Sequence, residues 1–118
     1  MPKIIIDLSS EFKREYKRFM KKYPSLQKEV EAMLVELHKN ALLGTPLGDG
    51  LYKIRVAVAS KNSGKSGGMR VITYVVEIVE TDEATLIDIT LLTIYDKSEI
   101  PNISKTALLK LLKWLGLH

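Results

Sequence analysis

Cysteine is absent from this chain of 118 residues, so no disulfide can support the fold, which favours a reducing compartment. Histidine occurs only at positions 38 and 118, and no Cys/His set or carboxylate cluster is spaced to hold a metal ion. No apolar run approaches the roughly 20 residues of a membrane-spanning helix, and the apolar run near the N-terminus is too short for a signal peptide. These absences predict a cytoplasmic protein with no metal, no cofactor and no membrane partner.

Acidic residues are missing from one long stretch of an otherwise ordinary composition. Hydrophobic residues make up 46% and charged residues 27% of the chain, as in globular proteins, and the length fits one domain over residues 1–118. The net charge is +4 and the pI about 9.3. No acidic residue lies between Asp49 and Glu77, whereas the segment from Glu77 to Glu99 has seven acidic residues and one basic residue. This asymmetry predicts a basic face for nucleic acid or for an acidic partner.

The segment 51–76 carries the strongest local pattern of the chain. It begins with a predicted strand whose apolar face is formed by Tyr52, Ile54, Val56 and Val58. Lys53 and Arg55 lie on the opposite face of this strand. A second strand is predicted at 70–76, because β-branched and aromatic residues dominate there. The residues between these strands, 61–68, include three glycines and two lysines.

Basic residues are concentrated in this strand–loop–strand segment. They are Lys53, Arg55, Lys61, Lys65 and Arg70. Glycines let backbone N–H groups approach a phosphate closely, and flanking lysines add charge, so the segment predicts a surface for a polyanion. The alternative is a solvated strand face whose charges protect a sheet edge from aggregation. The triplet at 64–66 is not the end of a Walker A motif, because Ala59 occupies the first glycine position and a strand follows.

Hydrophobic periodicity predicts an α+β fold with the element order β-α-α-β-β-β-α. We expect a small antiparallel sheet with an N-terminal helical hairpin on one face and a C-terminal helix. The helices are predicted from Ser9 or Ser10 to Tyr23, from Leu26 to Leu37, and from Lys105 to Leu115 after a Ser104 cap. Further strands are predicted at 3–7 and 86–95, and the turn-rich segment 44–50 is predicted to be a loop.

Four segments carry a resemblance to a known family. In chain order they are FKREYKRFMKKYPSL, TPLGDGLYKIRV, GKSGGMRVITYVV and LLTIYDKSEI. Together they resemble the RelE/ParE superfamily of bacterial toxins, closest to its RelE- and HigB-like branch, over nearly the whole chain. The resemblance implies a toxin of a type II toxin–antitoxin system, with a cognate antitoxin, the ribosome and mRNA as partners. RelE-like members cleave mRNA in the ribosomal A site and use no metal.

The resemblance also implies a site. Family members commonly place basic residues on the second and third strands and a tyrosine near the end of the fourth. Lys53, Arg55, Arg70 and Tyr95 match these positions, and Lys97 lies where some relatives carry histidine or arginine. This chain has no histidine there, which leaves the general acid and base open. The predicted catalytic residues are Lys53, Arg55, Arg70, Tyr95 and Lys97, and the predicted RNA-binding residues are Lys61 and Lys65.

Three functions remain open from the sequence. The first is a ribosome-dependent, metal-independent endoribonuclease that inhibits translation by attack of an RNA 2′-hydroxyl on the adjacent phosphate. The second is a ParE-like toxin without nuclease activity that inhibits DNA gyrase. The third is a basic RNA-binding domain without catalysis. The cluster of Lys53, Arg55, Arg70 and Tyr95 favours the endoribonuclease.

Overall fold

One mixed sheet flanked by helices on both faces forms the structure, a computed structural model that describes residues 2–61, 68–81 and 85–117. Its elements are β1 (Lys3–Leu8), α1 (Ser10–Lys22), α2 (Leu26–Lys39), β2 (Thr45–Gly48), β3 (Leu51–Val56), β4 (Met69–Val79), β5 (Thr85–Asp96) and α3 (Lys105–Trp114). A short 3-10 helix at Ala59–Lys61 follows β3. The α+β class and the flanking helices are as the sequence predicts.

The strand order is β1-β5-β4-β3-β2, and β1 runs parallel to β5. The other neighbouring pairs are antiparallel, so the prediction of an entirely antiparallel sheet was wrong for the β1 edge. Short connections force strands joined in sequence to run antiparallel, but β1 leads into two helices and its direction is therefore free of that constraint. β5 lies inside the sheet, between β1 and β4.

The predicted loop at 44–50 contains a short strand, β2, which pairs with β3 and adds one strand to the predicted order. Pro46 and Gly48 disfavour a strand interior, which is why the sequence indicated a loop. Proline is tolerated here because β2 is an edge strand and needs no ladder hydrogen bond on its outer side. The turn that follows is tight, since Gly48, Asp49 and Gly50 all have positive φ angles.

The N-terminal helical hairpin covers one face of the sheet. Phe12 and Phe19 of α1 and Leu26 and Leu37 of α2 are among the fully buried side chains of this core. Ser9 fixes the start of α1, because its Oγ accepts a hydrogen bond from the Phe12 amide at 3.0 Å and donates one to the Leu92 carbonyl at 2.7 Å. The helix cap thereby also joins α1 to β5.

The opposite face of the sheet is covered in part by α3. Ser104 caps this helix as predicted, since its Oγ accepts from the Ala107 amide at 3.1 Å. The second core consists of side chains from α3 and from three strands: Leu51, Ile72, Leu92, Tyr95, Leu108 and Leu112. Trp114 at the end of α3 is 75% exposed. Among the described residues, no helix is both long and apolar enough to cross a membrane.

Gly44 brings the chain into contact with the backbone of β3. Its φ is +100°, and a Cβ at this position would lie 2.5 Å from the Lys53 carbonyl oxygen and 2.9 Å from Ile54 Cγ1. Gly116 also has a positive φ, +75°, but a Cβ there would meet no heavy atom within 4 Å. A residue with a side chain would therefore be strained at both positions, but its Cβ would meet neighbouring atoms at position 44 and not at position 116.

We predict that Gly44→Ala destabilises the protein by about 3 kcal/mol, because left-handed strain of roughly 1–2 kcal/mol adds to an overpacking cost of similar size. Gly116→Ala is the matched control and should cost only the strain, about 1 kcal/mol. Urea denaturation of both variants measures the difference. Equal losses would show that the contact with Lys53 relaxes without cost.

Candidate nucleic-acid interface

Arg55, Arg70 and Tyr95 form one row across three neighbouring strands. The register pairs Arg55 of β3 with Arg70 of β4, and Arg70 with Tyr95 of β5. Adjacent strands lie about 4.8 Å apart, so the row extends over roughly 10 Å at the level of the backbone. All three side chains are on the α3 face of the sheet. Arg55 alternates in phase with Leu51 and Arg70 with Ile72, and Tyr95 itself belongs to the second core.

Lys53 lies two positions from Arg55 on the same face of β3, roughly 6.6 Å along the strand. Its Nζ donates a hydrogen bond to Asn102 Oδ1 at 3.0 Å. Asn102 belongs to the connection between β5 and α3, so this connection lies beside the basic residues of β3. Asn102 could not be predicted to belong to the site, because no local pattern in the sequence around it indicates a contact with β3.

The basic side chains of β3 are more exposed than the side chains of the row that lie on β4 and β5. Arg55 is exposed and Lys53 is half-buried, whereas Arg70 and Tyr95 are each only 3% exposed. Arg70 belongs to the segment that is predicted to form a surface for a polyanion, yet its side chain is buried. It is buried because Arg55 and Tyr95 flank it on the neighbouring strands. Its Nη1 donates to the Met69 carbonyl at 3.2 Å.

Burial and charge perturb the two inner groups in opposite directions. Burial, and then the nearby positive charge of Arg55, lower the pKa of Arg70, and Tyr95 partly opposes this shift. The guanidinium still carries its charge at neutral pH, because its ordinary pKa is above 12. Burial raises the pKa of Tyr95, with Arg70 opposing. The phenol is therefore protonated at neutral pH and can donate a hydrogen bond or a proton.

Lys61, predicted to bind RNA, has its ammonium directed toward buried groups. It forms an ion pair with Asp96, in which the lysine side chain is 7% exposed and the aspartate side chain 0%. Its Nζ also lies 3.2 Å from Ser98 Oγ and 5.3 Å from the centre of the Tyr23 ring. The structure therefore separates Lys61 from the exposed basic surface formed by Arg55 and Lys53.

Asp96 is the centre of this buried network, and sequence reasoning missed it. Its Oδ1 accepts from Lys61 and from the Ser98 amide at 2.9 Å, and its Oδ2 accepts from Tyr23 Oη at 2.6 Å. Burial alone would raise the pKa of Asp96, but the hydrogen bonds from Lys61, Ser98 and Tyr23 outweigh burial and hold the pKa well below its ordinary value. The carboxylate is therefore ionised although it is fully buried.

Of the two remaining predicted lysines, Lys97 falls within the described residues. Lys97 is exposed and comes directly after β5, two residues from Tyr95, and its amide donates to the Gly68 carbonyl at 3.3 Å. Lys65 falls outside the described residues. The structure thus brings together Lys53, Arg55, Arg70 and Tyr95, with Lys97 beyond the end of the row.

The basic residues of α1 are partly neutralised by neighbouring carboxylates. Arg18 Nη2 lies 3.1 Å from Glu99 Oε1, and Lys22 Nζ lies 3.3 Å from Glu99 Oε2. Arg14 pairs with Glu11 one turn away. These pairs are exposed and contribute little stability individually. They reduce the positive potential of α1 in part.

The site offers cations and a neutral phenol. Within residues 2–61, 68–81 and 85–117, no three side chains of the His, Cys, Asp or Glu type are grouped so that they could hold a metal ion. Guanidinium groups grip phosphate oxygens through two parallel hydrogen bonds, and they stay charged throughout. The described surface is therefore suited to binding a phosphodiester and to stabilising extra negative charge on it.

No protein-family model matches this chain, and no curated protein matches it at a significant level. The resemblance to the RelE/ParE superfamily therefore stays a prediction from the four sequence segments.

We predict that Asp96→Asn lowers the free energy of unfolding by about 3 kcal/mol at pH 7, because it leaves the buried Lys61 ammonium without a counterion. The loss should depend on pH. The pKa of Asp96 is lower in the folded protein than its ordinary value of 3.8, so its stabilisation is complete above about pH 4 and is lost as the pH falls toward the folded pKa. Urea denaturation at pH 7, 5 and 3 measures this.

Comparison with the variant is essential, because Asp88 contributes the opposite pH dependence. Burial, and then Asp7, raise the pKa of Asp88, so its contribution becomes more favourable as the pH falls. The difference between the wild-type protein and Asp96→Asn cancels this contribution. A difference that stays constant from pH 7 to pH 3 would contradict the role given to Asp96.

Proposed function

We propose that this protein is a ribosome-dependent endoribonuclease that cleaves mRNA, inhibits translation, and acts as the toxin of a type II toxin–antitoxin system. The observation that carries the proposal is the register of Arg55, Arg70 and Tyr95, which places two guanidiniums and a phenol in one row. Lys53 adds a third cation on the same face. The resemblance of the four sequence segments supports the same function independently of this geometry.

The proposed reaction is an internal phosphoryl transfer in the RNA. The 2′-oxygen attacks the adjacent phosphorus, the bond from phosphorus to the 5′-oxygen breaks, and a 2′,3′-cyclic phosphate and a 5′-hydroxyl result. One proton leaves the 2′-hydroxyl and one reaches the departing 5′-oxygen, so protons balance. Negative charge accumulates on the phosphorane oxygens in between, and fixed cations stabilise that charge more than they stabilise the ground state.

The proposed roles follow the exposure of each side chain. Arg55 is exposed and would contact the phosphate directly, whereas Arg70 is buried and would stabilise the phosphorane by its positive charge. Tyr95 is neutral at physiological pH, which suits a donor to the departing 5′-oxygen rather than a base. Lys53, held by Asn102, would contact the phosphate as a further cation, and the group that removes the 2′-hydroxyl proton stays unassigned.

The described residues of the proposed site include no group that would align the 2′-oxygen of the RNA with its leaving group, and this is why the reaction is expected to require the ribosome. Cations stabilise the phosphorane, but they do not align the 2′-oxygen with its leaving group. Such alignment is worth several kcal/mol and needs a held RNA backbone. We infer that the ribosome supplies it, with mRNA as the substrate and a cognate antitoxin as the neutralising partner. Free RNA should therefore be a much poorer substrate.

A second function, RNA binding without catalysis, is favoured by the burial of the inner groups. Arg70 and Tyr95 are each 3% exposed, so direct contact with a reacting phosphate requires that neighbouring side chains move aside. A binding domain would need only the outer cations, Arg55 and Lys53. Cleavage assays on translating ribosomes distinguish the two functions, because a binding domain protects mRNA without cutting it.

We predict that the purified protein cuts mRNA on translating ribosomes in the presence of EDTA. The upstream fragment should end in a 2′,3′-cyclic phosphate or a 3′-phosphate, and the downstream fragment should begin with a 5′-hydroxyl. Mass spectrometry of the fragments identifies these ends. Ribosomes must be checked for continued translation at the EDTA concentration used, with free Mg²⁺ buffered for their integrity. Fragments with 5′-phosphate ends would contradict attack by the 2′-oxygen.

We predict that Arg70→Met keeps the fold and lowers the rate of mRNA cleavage about a hundredfold. Methionine fills a similar apolar space, and removing a buried charge beside Arg55 should leave stability unchanged or increase it. Loss of one donor of transition-state stabilisation typically costs 10²–10³ in rate. Arg14→Met is the matched control, because Arg14 lies on α1 and its side chain is 71% exposed. Melting curves and cleavage rates are measured together, and a folded, fully active Arg70→Met variant excludes Arg70 from the site.

A further inference from the structure

The two described ends of the segment between β3 and β4 are both bonded to the end of β5. Lys61, the last described residue before the segment, forms its ion pair with Asp96. Gly68, the first described residue after it, accepts a hydrogen bond from the Lys97 amide at 3.3 Å. Ser98 joins the same group, since its Oγ lies 2.6 Å from Asp96 Oδ1. Three consecutive residues after Tyr95 thus hold both ends.

Asp96 lies next to the row formed by Arg55, Arg70 and Tyr95. It follows Tyr95 in β5, and its partner in β4 precedes Arg70. The register pairs Asp96 with Met69, directly beside the pair formed by Tyr95 and Arg70. A shift at Asp96 therefore passes through a single peptide unit to Tyr95 and, across the strand pair, to Arg70. Tyr23 at the end of α1 completes the group, and its hydroxyl lies 2.6 Å from Asp96 Oδ2.

The ammonium of Lys61 has the surroundings of a buried counterion and not those of a phosphate contact. Its side chain is 7% exposed, against an exposed Arg55. Asp96, Ser98 and the face of the Tyr23 ring surround its Nζ. A lysine that binds RNA phosphate would have to leave a fully buried carboxylate unpaired, and breaking such a pair is strongly unfavourable.

We propose that Asp96 is a positioning residue for the RNA-cleaving site, and that Lys61 is its buried counterion instead of an RNA contact. The pair fixes the ends of β3, β4 and β5 relative to one another, so that the row of Arg55, Arg70 and Tyr95 keeps its geometry under substrate. This inference rests on the proposed function for its catalytic readout. The ion pair itself is tested separately below.

The experiment uses Lys61→Met, Asp96→Asn and the double variant that combines these two substitutions. Arg55→Met, which removes an exposed cation of the proposed interface, is the variant with which they are compared. Cleavage on programmed ribosomes gives kcat and KM at a temperature at which every variant is folded. The salt dependence of binding to a single-stranded RNA oligonucleotide, measured by fluorescence anisotropy, counts phosphate contacts. Melting temperatures of the single and double variants test whether the two residues act as one unit.

We expect both single variants to lower kcat by about tenfold to a hundredfold with KM nearly unchanged, as a small misplacement of a catalytic group does. The double variant should be no worse than the singles in kcat or in melting temperature. The slope of log affinity against log salt should stay at the wild-type value in Lys61→Met. In Arg55→Met it should fall by about 0.7, the value for one phosphate contact on a single strand.

Two results would overturn the inference while the proposed function stands. If Lys61→Met lowers the salt slope as Arg55→Met does, Lys61 contacts RNA. If all variants are folded and keep the wild-type kcat, the pair only stabilises the fold. A wild-type protein that neither binds nor cleaves RNA refutes the proposed function, and the positioning role fails with it. The melting temperatures then still decide whether Lys61 and Asp96 are coupled. If the decrease in melting temperature of the double variant equals the sum of the decreases of the single variants, the two residues do not act as a pair.

Discussion

The antiparallel register of β3, β4 and β5 is the constraint on which the candidate interface depends. It sets Arg55 directly opposite Arg70, at a distance of about 5 Å between Cβ atoms. Like charges directly opposite each other on neighbouring strands are destabilising, and the charge of Arg55 lowers the pKa of Arg70. A shift of one residue would separate them and would also exchange the side chains that β4 presents to the two cores. Burial of Ile72 and Val71, each 0% exposed, therefore holds the repelling pair in place.

Charged side chains can lie on the second face of the sheet because α3 covers only part of that face. Leu108 and Leu112 pack on Leu51, Ile72 and Leu92, and the connection before α3 passes beside Lys53 through Asn102. Charge at the border of an apolar core is less screened than charge on an open surface. The placement of α3 thus strengthens the field of Arg55 and Arg70 while leaving Arg55 exposed.

The sequence predicted the elements and the faces of the strands, because both depend on local periodicity. Alternation placed Lys53 and Arg55 on one face of β3, and the amphipathic stripes placed α1 and α2 on the sheet. The network of Asp96 could not be predicted in this way, because Tyr23 and Lys61 are far from it in the chain. Burial of Arg70 was missed for the same reason, since it depends on register. Pro46 concealed β2, because local propensity carries no information about which strand is an edge.

Asp96 and Arg70 are buried charges in neighbouring positions with opposite surroundings. Hydrogen bonds from Lys61, Ser98 and Tyr23 favour the ionised form of Asp96, whereas burial and Arg55 disfavour the charged form of Arg70. The ionised form of Asp96 is therefore favoured within the protein, and a negative charge that arrived between the two arginines would oppose their mutual repulsion. A ligand that binds the folded protein and not the unfolded chain stabilises the fold by an amount that grows with its concentration relative to its Kd. The proposed binding of an anion at Arg55 and Arg70 would thus work against the stability of the empty protein, and the neighbouring Asp96 network would offset part of that cost.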